Sequence, residues 1–249
     1  MKKVLQILML TAFMISSMGC EILEGAARDL SIEDGVGNEN NKPALTNKEV
    51  IAGLKEALTV GIKNAVDVTA VTDGFLANQE IKLPFPESAS KMKEKALEWG
   101  LDNQVNKIVT TLNRAAEDAA KDATPIFIDA IKNMTVQDGF SILNGGEGAA
   151  TDFLRKKTTN ELIVVFAPKV QTSIEKVKLT EYWGPVSKRY NQAMSFTGGD
   201  KIETDLNKYV TERAIDGLFT MVEKEENKIR KDPAARVTDL LSKVFGSLK

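Results

Sequence analysis

Four polar residues able to do chemistry lie close together in the stretch TLNRAAEDAAKDATP. They are Asn113, Arg114, Glu117 and Asp118. Because residues four apart share one face of a helix, Asn113 is expected beside Glu117, and Arg114 beside Asp118. Carboxylates held in a crevice between helices can act as a general acid or base, or bind a polar ligand. The same spacing is also typical of ion pairs on a solvated helix face, and we favour that structural interpretation.

A second candidate site is the aromatic stretch EYWGPVSKRYNQ, which contains Tyr182 and Trp183. Such rings stack on sugars or anchor a partner protein. Packing into the core near the start of a helix is the commoner use of these residues. We therefore keep a ligand role for Tyr182 and Trp183 as the alternative to core packing.

A further charged run lies near the carboxyl end of the chain. Glu223, Glu225 and Glu226 precede Lys228 and Arg230 at helical spacing. We interpret this run as a solvated face with pairs between neighbouring turns, each contributing only about 0.2–0.5 kcal/mol.

The residue types present exclude several common chemistries. The 249 residues include no histidine and a single cysteine, Cys20. Histidine is the commonest general base near neutral pH. Because the chain has none, Ser-His-Asp catalysis, Cys-His catalysis and zinc sites of the Cys/His type are excluded. The glycine-rich residues 144–148 lack the Lys-Ser/Thr of a phosphate-binding loop and are interpreted as a turn between helices. We expect no metal and no cofactor. If the protein is an enzyme, its catalytic side chains are expected to be carboxylates, lysine or serine.

The cysteine follows a segment with the features of a secretory signal peptide. A basic start precedes a 12-residue apolar run at 4–15, which is shorter than the roughly 20 residues of a membrane span. Gly19-Cys20 resembles the lipobox of bacterial lipoproteins, although Ser17 stands where that pattern prefers leucine. The resemblance implies that residues 1–19 are removed and that Cys20 carries lipid. An ordinary signal peptide with a free thiol is the alternative.

Residues 20–44 are predicted to be the lipidated cysteine followed by a flexible acidic tether. Residues 21–44 carry six acidic and two basic side chains and cannot bury enough apolar surface to fold alone. A short helix over 22–30 is the alternative. Of the 33 basic and 35 acidic residues of the chain, four basic and six acidic ones lie in the first 45 residues. The body after them therefore has 29 of each. A body without net charge has no basic footprint, so we expect no nucleic-acid partner.

Residues 45–249 are predicted to form one all-α, multi-helix domain. Apolar residues recur at helical spacing through most of this length. Thr46 and Glu49 form a capping box at the first helix, and Asp102 is expected to cap a later one. A long helix is predicted over 205–230, and a last one ends near Phe245.

Two segments have ambiguous patterns. The apolar run at 162–166 is strand-like by itself, but the apparent capping box Thr158-Thr-Asn-Glu161 before it predicts a helix start there, after a separate helix over 147–157. In residues 75–85, alternate residues are apolar and prolines interrupt. That segment is predicted to be a short edge strand or an extended arm packed on the helices.

Two long stretches of the body resemble a known family. They begin IKLPFPESASKMKEKALEWGLDNQ and YVTERAIDGLFTMVEKEENKIRK. Both are similar to domain of unknown function 4197, a family of Gram-negative envelope proteins, and the likeness extends from Leu45 to Gly246. The resemblance implies a mostly helical domain behind a signal peptide, often with a lipidated cysteine. It implies no activity and no catalytic residues.

These observations favour a non-catalytic interaction module of the cell envelope. We expect it to be anchored by lipid, to face the periplasm from the outer rather than the inner membrane, and to contact another envelope protein. The alternative is a helical carrier or sensor that binds a small or apolar ligand between helices. An enzyme using carboxylates is the third and least favoured hypothesis.

Overall fold

A computed structural model describes residues 46–176, 178–202 and 205–236, together with residues 238, 242 and 244. Within this part of the chain, eight α-helices and no strand are present, so the prediction of an all-α fold is confirmed. The helices are α1 (Asn47–Thr69), α2 (Ser90–Glu98), α3 (Asp102–Ala120), α4 (Ala123–Lys132), α5 (Val136–Asn144), α6 (Ala149–Lys176), α7 (Leu179–Thr197) and α8 (Asn207–Lys231). Short 3-10 turns occupy Glu87–Ala89 and Pro233–Ala235.

Helix α8 forms the centre of the fold. It packs against α1, α3 and α6, and its buried side chains include Leu218, Phe219 and Val222. Phe219 meets Phe127 of α4 edge to face, with ring centroids 5.5 Å apart. Burial of these apolar surfaces is the main stabilising contribution to the domain. Helix α7 lies at the periphery, on α2, α3 and α6, and exposes one of its faces.

The capping box predicted at the first helix is confirmed. Thr46 Oγ1 accepts a hydrogen bond from Glu49 N at 3.3 Å, and the Glu49 carboxylate accepts from Thr46 N at 2.8 Å. The expected cap at Asp102 is wrong, because Leu101 holds the N-cap position and Asp102 is the first residue of α3. A carboxylate in that first turn still suits the positive end of the helix dipole.

Helix α6 is continuous through the position where the sequence predicts a break. Helix formation at 162–166 is confirmed, but the separate helix over 147–157 and the cap at Thr158 are wrong. The Thr158 side chain is buried, and its hydroxyl donates to Leu154 O at 2.8 Å. Because Leu154, Thr158 and Leu162 lie on one buried stripe, packing extends a single helix through the apparent box.

Residues 75–85, which we call the arm, link α1 to the 3-10 turn before α2. They form turns up to residue 81 and irregular backbone after it, so an arm packed on the helices is confirmed, whereas the edge strand and the extended backbone over 75–81 are wrong. Phe75, Ile81, Leu83 and Phe85 are buried, and Pro84 between the last two is exposed. The alternating pattern thus reflects packing of one side of the arm onto the helices.

The described residues belong to one compact unit, Thr46–Lys249. Several sequence predictions fall outside them: the signal peptide at 1–19, the tether at 20–44 with Cys20, and most of the last helix up to Phe245. Directly after α8, Asp232 Oδ1 accepts a hydrogen bond from Ala234 N at 2.9 Å.

Candidate functional site

The polar quartet Asn113, Arg114, Glu117 and Asp118 lies on α3, and three of its members bind the arm or the residues before it. Asn113 is fully buried. Its Oδ1 accepts from Leu83 N at 2.8 Å, and its Nδ2 donates to Leu83 O at 2.9 Å. Because the arm has no neighbouring strand, the Asn113 amide supplies the donor and acceptor that a strand would otherwise provide.

Glu117 holds the other end of the arm. Its side chain is 5% exposed, and Oε1 accepts from both Phe75 N and Leu76 N at 3.2 Å. Its Oε2 accepts from Arg114 Nη1 at 2.6 Å. A buried carboxylate with two backbone donors and one guanidinium has its charge compensated inside the fold.

Arg114 joins this site to the turn before the arm. Its Nη2 donates to Asp73 Oδ1 at 2.7 Å, while Nη1 donates to Glu117. The hydrogen bond to Glu117 raises the pKa of Arg114 above its usual value, and burial opposes this effect. Asp73 has a positive φ of 68°, so the ion pair stabilises a turn with a strained backbone.

Asp118 faces away from the arm and contacts α6. Its carboxylate accepts hydrogen bonds from Lys121 at 2.8 Å, from Ser173 Oγ at 2.9 Å and from Lys176 at 3.3 Å. The Lys121 hydrogen bond, with those from Ser173 and Lys176, lowers the pKa of Asp118 from 3.8 to about 2. A carboxylate with so low a pKa is a weak base near neutral pH, which does not suit proton abstraction from Ser173.

The solvated-face interpretation is therefore wrong for Asn113 and Glu117. The Arg114 and Asp118 side chains remain 27% and 25% exposed, but the predicted pairing of Arg114 with Asp118 is wrong. Asn113 and Glu117 are buried because the arm, 30 to 42 residues earlier in the chain, covers their face of α3. Asn113, Arg114 and Glu117 therefore lie at the arm or the turn before it, whereas Asp118 contacts Ser173 and Lys176 on α6. The buried polar atoms of Asn113 and Glu117 are occupied by these internal bonds, which position the backbone of the arm.

Tyr182 and Trp183, the aromatic pair, also lie in different environments. Trp183 is buried, and its ring lies 5.5 Å from that of Phe85 at the end of the arm. Tyr182 is half-buried, with Lys107 Nζ 5.2 Å from its ring centroid. The favoured interpretation of Trp183 as core packing is supported, except that its indole Nε1 is buried with no hydrogen-bond partner in the described part.

Glu226 and Arg230 form a second buried site that the sequence interpretation missed. Glu226 accepts hydrogen bonds from Ala150 N at 3.0 Å, from Thr151 N at 2.9 Å and from Arg230 Nε at 2.9 Å. Arg230 also donates to Ile142 O at 2.8 Å. The solvated-face interpretation is wrong for these two residues, because Glu226 caps the first turn of α6 from another helix.

A signal for this cap is present in the sequence. The turn at 144–148 between α5 and α6 is confirmed, with Gly146 and Gly148 at φ values of 79° and 75°. It ends without a serine, threonine or aspartate before Ala149. A helix start without a local cap needs its acceptor from elsewhere in the fold.

Two concave features of the described residues are relevant to ligand binding. An apolar cavity of about 20 Å³ lies beside Glu226 and is lined by residues such as Leu58, Ile62 and Ile229. This is close to the volume needed for one water molecule and too small for a ligand. A larger groove of about 590 Å³ runs along α7 from Thr180 to Ser195, with Lys201 at its side.

Two features are absent from the described residues. In them, no group of three or more acidic or cysteine side chains is arranged to hold a metal ion. None of their helices is both long and apolar enough to cross a membrane.

A family model described as a protein of unknown function, DUF4197, matches residues 44–246. The chain belongs to this family. The match covers every described helix, so the arm and both buried Glu-Arg pairs lie inside the family domain. No curated protein and no solved structure matches the chain.

Proposed function

We propose that this DUF4197 protein is a non-catalytic interaction module of the bacterial cell envelope, anchored by lipid on Cys20. The observation that carries the non-catalytic part is the internal use of the quartet. Glu117, the carboxylate best buried for acid-base chemistry there, has both oxygens bound to the arm and to Arg114. The anchored part rests on the signal-like segment and the Gly19-Cys20 pair.

The proposed module holds its helical domain in the periplasm, at the outer rather than the inner membrane. Its partners are the membrane, through the anchor, and another envelope protein, with no nucleic acid and no cofactor. Phe196, near the end of α7, supports a protein contact because its side chain is 91% exposed, the highest value among the large apolar residues described. Exposed aromatic residues are frequent anchors of protein interfaces.

Fatty-acid labelling tests the anchor. The full chain is expressed in a bacterium that processes lipoproteins, with a labelled fatty acid in the medium. We expect the wild-type chain to incorporate label and to fractionate with the outer membrane, and Cys20→Ser to lose the label and cleavage after Gly19. A labelled Cys20→Ser chain would show that Cys20 is not the attachment site.

A photoreactive amino acid at position 196 tests the protein contact. Position 164 is the matched control, because Val164 is also strongly exposed, at 73%, but lies on α6. We expect crosslinking in cells to give one discrete adduct from position 196 and none from position 164. Equal crosslinking from both positions would contradict a contact centred on α7.

The second candidate function is a carrier or sensor for a small ligand. The observation that favours it is the groove along α7, whose volume of about 590 Å³ is that of a small-molecule site.

A further inference from the structure

Helix α7 differs from the helices around it in how its polar side chains are bound. Among the described residues, every side-chain hydrogen bond of α7 ends within the helix or in the loop after it, and the longest in sequence joins Asn191 to Ile202. None of these residues forms an ion pair with another helix. By contrast, Ser173 of α6 donates to Asp118 of α3 at 2.9 Å. Within the described part, no side-chain hydrogen bond or ion pair therefore fixes α7 to the helices beneath it.

Apolar packing and two cation–π contacts hold α7 in place. Five of its 19 residues are buried, against ten of 19 in α3. The Arg189 guanidinium lies 4.6 Å from the ring centroid of Trp99. Lys107 Nζ lies 5.2 Å from the ring centroid of Tyr182. Both cations are exposed, and cation–π contacts at exposed sites contribute little. Helix α7 is thus less firmly attached than α3, although the two helices have the same length.

Both ends of α7 have a left-handed backbone. Lys178 before the helix has a φ of 56°, and Gly198 after it has a φ of 73°. This conformation is unfavourable for a residue with a Cβ, so the backbone at Lys178 is strained. The helix also begins without a side-chain cap, and Pro185 inside it lacks the N–H that would donate to Glu181 O. Residues at the ends of an element are the usual hinges of a moving segment.

The buried indole of Trp183 lowers the free energy needed to separate α7 from the domain. Its ring packs 5.5 Å from that of Phe85, but its Nε1 has no acceptor among the described residues. A buried donor without an acceptor is unfavourable, and native structures rarely contain one. When α7 separates, water satisfies this N–H group, which offsets part of the apolar surface that becomes exposed.

We propose that α7 is a hinged helix that separates from α2, α3 and α6 as one unit while the rest of the domain stays folded. Separation uncovers the ring of Phe85 and the apolar surface beneath the helix. A free helix of this length with an internal proline is barely stable in water, so the separated α7 unfolds. This inference goes beyond the interaction role, and it depends neither on lipid at Cys20 nor on a contact at Phe196.

Amide hydrogen exchange of the full chain, in a non-ionic detergent and low concentrations of denaturant, tests the proposal. The reporters in α7 are the amides of the buried residues Val186, Ser187 and Tyr190, and the reference is Leu218 at the centre of α8. We expect protection factors in α7 to be lower than that of Leu218 by about tenfold or more. The three α7 amides should share one value, because the helix opens as a unit.

Two conservative core substitutions distinguish separation of α7 from unfolding of the whole domain. Ile62→Val acts on α1, which packs on α8 but not closely on α7. We expect it to lower the protection of Leu218 several-fold and to leave Ser187 and Tyr190 unchanged, because separation of α7 breaks no contact of Ile62. Val186→Ala, within α7, should lower the protection of Ser187, Tyr190 and Leu218 together.

Three results would overturn the proposal. The first is equal protection of the α7 amides and Leu218 in the wild-type chain. The second is an equal loss of protection in α7 and at Leu218 on Ile62→Val, which would mean that α7 opens only with the whole domain. The third is protection that falls gradually toward the two ends of α7, which is fraying and not the separation of a unit.

Discussion

The two buried Glu-Arg pairs solve similar problems with different structural elements. Glu117 with Arg114 on α3 binds an irregular arm, whereas Glu226 with Arg230 on α8 caps the regular helix α6. In both cases one carboxylate accepts from two consecutive backbone N–H groups that have no local acceptor. The comparison indicates that the fold places charge in its core where a segment cannot satisfy its own backbone.

The pairs differ in how much solvent their arginines retain. The Arg230 side chain is 12% exposed, and its Nη2 donates to the backbone oxygen of Ile142. The Arg114 side chain is 27% exposed and keeps Asp73 as a second anion. Loss of Glu226 therefore leaves a more isolated charge than loss of Glu117, because, among the described residues, Arg114 has a second acidic partner in Asp73 and Arg230 has none.

The largest effect is expected from Glu226→Ala. It leaves Arg230 without its carboxylate and the first turn of α6 without its cap. Breaking a buried pair in this way costs about 3–5 kcal/mol of unfolding free energy. Chemical denaturation measures the loss, with Glu223→Ala as the control, because Glu223 lies on the same helix and is exposed. A change within about 0.5 kcal/mol, like that expected of the control, would show that the cap contributes little.

Glu117→Ala is expected to cost less, about 2–3 kcal/mol, because Asp73 still compensates Arg114. The same denaturation experiment compares it with Gln104→Ala, an exposed change on α3. A cost equal to that of Glu226→Ala would mean that the exposure of the arginine does not decide the energy. Loss of function in cells at unchanged stability would instead support a binding or catalytic role for Glu117.

Gly217→Ala tests how tightly the arm is packed. A Cβ at this position of α8 would lie 2.6 Å from Phe75 Cε1 and 3.2 Å from Ile81 Cβ. We expect overpacking to cost about 1–3 kcal/mol. Gly184→Ala is the matched control, because a Cβ there meets no atom within 4 Å, and alanine favours the helix by up to about 1 kcal/mol. A stable Gly217→Ala chain would show that the arm moves easily.

The smallest effect is expected at Asp118. Its pKa is lowered from 3.8 to about 2 in the folded chain. The ionised carboxylate therefore stabilises the fold at pH values above 3.8, and this stabilisation is lost as the pH falls to about 2. Asp118→Asn should therefore be less stable than wild type at neutral pH and approach it near pH 2. Denaturant midpoints across this range measure the difference, with Asp152→Asn on α6 as the control for lost charge. A constant difference at every pH would contradict the ion-pair role.

The helical fold was accessible from sequence because its signals are local. Apolar periodicity and the Thr46-Glu49 box depend on residues within a few turns of one another. The break predicted at Thr158 was wrong because the same four-residue pattern occurs inside a helix when the threonine is buried and bonds to Leu154. Residue letters alone do not distinguish these two environments.

The buried sites were not accessible in the same way. Asn113 and Glu117 have the spacing of a solvated face, and only the arm, from a distant part of the chain, makes that face a buried one. Glu226 likewise meets residues 75 to 76 positions earlier. Long-range contacts of this kind are decided by packing and leave no periodic pattern in the sequence.

Amide hydrogen exchange of Glu117→Ala tests most directly the claim that buried acids serve as internal clamps. We predict that the amides of Phe75 and Leu76 lose protection, while those of Ala150 and Thr151 keep it because Glu226 is intact. Glu226→Ala should give the reverse pattern. Unchanged protection of Phe75 and Leu76 in the Glu117→Ala chain would contradict the account.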